Sequence, residues 1–88
     1  MLFQFHCRLR EHEQGAATTE FTDRLYGRIG DATVVSRAGV VFVGFDREAE
    51  SLEEALRAGI ADIRAAGGTV AEITLEPAEV ARWETLPV

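Results

Sequence analysis

The spacing of apolar residues along this chain switches repeatedly between two and about four. That pattern restricts the chain to folds that pair a sheet with helices. In Leu2–Leu9, Phe3, Phe5, Cys7 and Leu9 alternate with Gln4, His6 and Arg8, so one face is apolar and the other polar. Period two with aromatics predicts a half-buried strand. From Thr18 or Thr19 to about Ile29 the recurrence becomes fourfold: Phe21, Leu25 and Ile29 form a stripe with Tyr26 beside it. This predicts a helix capped by a threonine hydroxyl, with the preceding segment Arg10 to Ala17 as a loop. Ala32 to Arg37 and Val40 to Phe45 read as two short strands, and Ala38-Gly39 between them is a hairpin signal. The second has a continuous apolar run, which predicts a central strand. Its phase stays open: either Val40 and Phe42 or Val41 and Val43 face away from the core.

Ser51-Leu52-Glu53-Glu54 has the form of a capping box. It opens a helix running to about Ala66, with Leu52, Leu56, Ile60 and Ile63 on its apolar side and Ala55 and Gly59 beside them. Gly59 is expected to permit close approach to the sheet, and Gly67-Gly68 to end the helix. Thr69 to Leu75 alternates again. Ala71, Ile73 and Leu75 are expected inward; Val70, Glu72 and Thr74 outward. Pro77 can open a short helix over Ala78 to Glu84, and Pro87 stops it.

The order is βαββαβ, so the expected fold is α+β and ferredoxin-like: a four-stranded antiparallel sheet, order 4-1-3-2, with two helices on one face. Residues 1–76 are expected to form the domain and 77–88 a C-terminal tail. At 88 residues there is material for one domain.

Such a fold leaves one sheet face without helices. Gln4, His6, Arg8, Glu72 and Thr74 are expected there, with Phe42 from the central strand if its phase allows. These residues, together with Trp83 in the tail, are the candidate partner-binding set. A small apolar strip between polar flanks marks a dimer or partner contact; the competing expectation is that Trp83 and the tail fold over it. The edge of the second strand is another candidate contact.

The formal net charge is −6, which disfavours phosphate backbones and favours basic partners. All nine basic residues are arginine, a pattern that genome composition explains. The single cysteine, Cys7, allows no internal disulfide and suits a reducing cytoplasm. No secretory leader is expected from the first residues, and no apolar stretch approaches the ~20 residues of a membrane span.

No catalytic, cofactor or metal motif emerges. His6 and Cys7 are neighbours on a strand and point to opposite faces, which breaks the simplest metal site, and Glu11-His12-Glu13 reads as a solvated run. Cys7 is expected in the core rather than as a nucleophile. Asp46 is expected to end its strand, with Glu48 and Glu50 favouring the next helix start. The glycines make no phosphate loop.

Four stretches carry a family resemblance: Val40 to Ala49 (Val-Val-Phe-Val-Gly-Phe-Asp-Arg-Glu-Ala), Ser51 to Leu56, Ile60 to Gly67, and Leu75-Glu76-Pro77. They resemble a family of small bacterial proteins of uncharacterised function in which this domain often precedes a helix-turn-helix segment. The resemblance implies a regulatory, sensing or assembly module. This sequence departs from the pattern after Pro77, where 11 residues, Ala78 to Val88, leave no room for a recognition helix.

The leading functional expectation is a non-enzymatic interaction or regulatory module that dimerises or binds a protein partner. One alternative is a small enzyme or ligand-binding domain with His6 or His12 as base, in a pocket between sheet and helices. The other is a nucleic-acid-associated regulator or antitoxin.

Overall fold

The computed structural model describes residues 1–10 and 14–84, without the side chains of residues 14–18. The expected positions Glu11, His12, Glu13 and Pro87 lie outside the described residues. Along the chain run β1 (Leu2–Leu9), α1 (Gln14–Arg28), β2 (Ala32–Arg37), β3 (Val40–Glu48), α2 (Leu52–Ala65), β4 (Val70–Leu75) and α3 (Pro77–Glu84). The fold is α+β, and its four strands form one antiparallel sheet in the order β2-β3-β1-β4. This is the expected order 4-1-3-2 read from the other edge. The helix count differs: three helices form rather than two. None of the described helices is long and apolar enough to cross a membrane.

The core lies between the sheet and the helices α1 and α2. Phe3, Phe5, Cys7 and Leu9 from β1 meet Val41, Val43 and Phe45 from β3, all at most 2% exposed. The open phase of β3 is thereby decided, with Val40 and Phe42 facing away from the helices. Phe5 and Phe45 stack with ring centroids 5.0 Å apart. Phe21 and Leu25 close the core from α1. From α2 it is the small residues Ala55 and Gly59, with Ile63, that are buried, while Leu52 and Leu56 pack at the margin. A β-carbon at Gly59 would stand 3.1 Å from the Phe5 ring, so the missing side chain sets the helix-to-sheet distance.

The capping box forms with one change of partner. Ser51 Oγ accepts from the Glu54 amide at 3.2 Å, and the Glu54 carboxylate accepts from the Glu50 amide, one residue before the cap. At the other end Gly67 takes φ +100°, and the Gly68 amide donates to Ile63 at 2.9 Å, as a left-handed helix stop requires. The β2–β3 turn has Ala38 at φ 53° and Gly39 at φ 79°, the two positive angles of a hairpin turn that follows strand twist.

Three local expectations are corrected. Helix α1 begins at Gln14, so Thr18 and Thr19 lie inside it instead of capping it. Strand β3 continues through Asp46, Arg47 and Glu48 because it stays paired with β1 as far as Leu2. The register of β1 with β4 shifts between Arg8 and Leu9, so Glu72 pairs with Arg8 and Val70 with Leu9. That bulge turns Val70 toward the core and Ala71 outward, the reverse of strict alternation.

The tail forms the short helix expected after Pro77, and the sheet edge explains where it packs. β4 ends at Leu75, opposite Phe5, and leaves the first part of β1 with an unpaired edge. Helix α3 takes over there with side chains. The buried Glu79 carboxylate accepts the Gln4 amide at 2.8 Å and a second hydrogen bond from Arg82. Arg82 also donates to the Leu2 carbonyl at 3.3 Å and lies 5.0 Å above the Phe3 ring. The helix thus satisfies backbone groups that a longer β4 would have met. None of its residues lines the hollow of the open face, and residues 85–88 lie outside the described residues.

A buried cation locks the two helices to the sheet. Arg47, 8% exposed, follows Phe45 on the core side of β3 and donates twice to Asp31 at 2.8 Å and once to Asp62 of α2 at 2.6 Å. Asp62 also accepts from Arg28 of α1 at 2.9 Å. The Arg47 hydrogen bonds hold the Asp31 carboxyl below its ordinary range, and the two carboxylates hold the guanidinium above its own.

Candidate functional site

The helix-free side of the sheet is the candidate site, and the register makes its layout explicit. One cross-strand row reads Thr74, His6, Gly44, Thr33, from β4 through β1 and β3 to β2. The next reads Glu72, Arg8, Phe42, Val35. Beyond the first row stand Gln4 and Asp46; beyond the second, Val40 and Arg37. Alternation puts all of these on one face because their neighbours Phe5, Cys7, Val41, Val43 and Phe45 fill the core on the other.

Gly44 makes a notch in this face. It sits mid-strand, where most residues would project a side chain, and the His6 imidazole leans across it. His6 Cδ2 is 3.2 Å from where a β-carbon would stand. The same imidazole reaches the residue after β4, with its Nε2 2.5 Å from Glu76 Oε1. Gln4 donates to Asp46 at 3.0 Å, and Arg8 approaches Glu72 at 3.5 Å. The result is a concavity of about 380 Å³ with Gly44 in its floor and walls from His6, Glu76, Thr33, Val35 and Phe42.

Charge is unevenly spread along the strands. Asp46 and Glu76 line one end of the concavity, and Arg37 lines the other. Arg8 lies toward the Arg37 end but is partly compensated by Glu72. Between them Val35 is 42% exposed, and Phe42 and Val40 are half-buried. Apolar surface here is held between an acidic and a basic end.

Of the seven expected partner-binding residues, Gln4, His6, Arg8, Phe42, Glu72 and Thr74 share this face. Trp83 does not line the concavity; it is on α3, 41% exposed, with the Arg82 guanidinium 6.0 Å from its ring. Thr33, Val35, Arg37, Gly44, Asp46 and Glu76 belong to the site and were absent from that set. A charged residue reads as a strand end, so alternation alone does not reach Asp46; the β1–β3 register puts it beside Gln4.

Cys7 is fully buried, and burial pushes its thiol up to about 12, with Arg47 opposing in part; it stays protonated near neutral pH. Among the described residues no group of three His, Cys, Asp or Glu side chains converges as metal ligands would. His6 points away from the helix layer, so it does not enter a pocket between sheet and helices. Comparison with protein-family models, with curated proteins and with solved structures finds no match to this chain.

Proposed function

We propose that this protein is a non-enzymatic interaction module that binds a protein surface through the open face of its sheet. The observation that carries this reading is the strip Val35, Phe42 and Val40, which α1, α2 and α3 all leave uncovered. Exposed apolar surface rimmed by polar groups is costly to maintain in water and marks a contact when it is contiguous. The rim is built for recognition: Gln4, His6 and Arg8 are each held by a carboxylate, so they present fixed polar groups to a partner. A regulatory role then follows from association alone, with no reaction on the protein itself.

The test compares affinity capture by the wild-type chain with capture by Phe42→Glu, from a lysate of the source organism. Circular dichroism confirms that the variant keeps its fold. Proteins held by the wild type and lost by the variant support the reading. Identical captured sets from both chains refute it.

A further inference from the structure

The open face is complementary to itself. We infer that its partner is a second copy of this chain, docked face to face about a two-fold axis that lies in the interface and runs perpendicular to the strands. This rests on the interaction reading above and specifies its partner. Such an axis keeps each strand over its own counterpart and reverses strand direction. Two sheets pack face to face about 10 Å apart with strand lines within about 30°, which permits this arrangement.

Shape selects this geometry. Phe42 and Gly44 are two residues apart on β3, about 6.7 Å along the strand, one projecting and one recessed. An axis passing over Val43 exchanges their positions. Phe42 of each copy then lies in the shallow hollow beside the partner's Gly44, against the partner's His6 imidazole that leans across it. On β2 the same axis passes over Val34 and places Val35 against the partner's Thr33. A knob and a hole related in this way form an isologous, closed interface.

Charge selects the same geometry. The basic end of one copy, with Arg37, falls over the acidic end of the other, near the partner's Asp46. Arg8 falls over the pair formed by the partner's His6 and the partner's Glu76. An axis parallel to the strands would instead lay acidic end over acidic end and basic end over basic end, which like-charge repulsion disfavours.

Area sets the strength. Four strands and four outward rows cover roughly 19 Å by 24 Å, so two copies together bury close to the ~1,000 Å² at which specific interfaces begin. The dimer should therefore be weak and concentration-dependent, in the micromolar range.

Sedimentation of the full chain over a concentration series tests this. The wild type should pass from monomer to dimer, and Phe42→Arg should remain monomeric. Arg37→Glu and Asp46→Arg alone should each weaken association about tenfold, because symmetry counts every change twice. The double variant Arg37→Glu/Asp46→Arg reverses both ends and should restore the wild-type constant to within about threefold. Circular dichroism checks the fold of every variant. A wild type that stays monomeric throughout overturns the inference, as does a double variant that associates no better than either single one. If the wild type is monomeric but capture still depends on Phe42, the second copy is excluded and the interaction reading stands.

Discussion

Replacing Arg47 by methionine should cost about 2–4 kcal/mol near neutral pH, and the loss should shrink in acid. The Arg47 side chain is 9% exposed and makes three charge-assisted hydrogen bonds, of 2.6 to 2.8 Å, to Asp31 and Asp62. Methionine preserves length and apolar packing over the Phe45 ring, which the guanidinium now covers at 4.9 Å. It leaves two carboxylates without their cation. Removing one partner of a buried pair typically costs about 3–5 kcal/mol. Here the figure is reduced because Asp31 is one-third exposed and Asp62 keeps Arg28. The pH dependence comes from Asp31, whose carboxyl is held below its ordinary range. A depressed carboxyl contributes stability that is fully present above its unfolded value, near ~3.9, and is lost as pH falls through its folded value. In the variant that contribution is absent at every pH. Urea unfolding followed by circular dichroism near neutral pH, and again at about pH 3, measures both gaps. A neutral-pH loss below about 1 kcal/mol, or one of the same size in acid, would show that Arg47 is not the electrostatic lock described above.

Ala38 sits at φ 53°, where a β-carbon is crowded, so Ala38→Gly should stabilise the chain by up to about 1 kcal/mol; a lower melting temperature would refute the turn assignment. Glu79→Ala should leave the Gln4 amide without its acceptor and cost about 1–3 kcal/mol. Hydrogen exchange at Gln4 should accelerate selectively, and an unchanged rate there would mean that α3 does not cap this edge. A thiol reagent should fail to label Cys7 in the native protein and label it fully in denaturant, whereas fast native labelling would contradict its burial.

Much of this architecture is local, and local features can be read from residue order. Phe3 to Leu9 alternates because β1 has one wet and one dry face. Ser51 and Glu54 mark a helix start wherever they occur at that spacing, and Gly67 permits a positive φ in any context. Gln4, His6, Arg8, Glu72 and Thr74 therefore reach a common surface, since period two assigns each to a side once the strands are known; Phe42 joins them only through the phase that the β1–β3 register sets. Trp83 lies on a helix, where period two has no say, and that helix docks through Glu79 and Arg82, which carry no apolar period.

What the chain alone determined is the identity and order of its strands and helices, because periodicity, caps and turns depend on near neighbours. The tertiary structure decided everything that depends on register and on partners distant in sequence. It chose Val41 over Phe42 for the core, since a strand apolar on both sides has no phase of its own. It turned Val70 inward through a bulge imposed by β1. It buried Arg47 between Asp31 and Asp62, and laid His6 across Gly44 toward Glu76. The physical reason is that a charge or an imidazole has no preferred side by itself; its place is set by whichever opposite group the folded chain brings within reach.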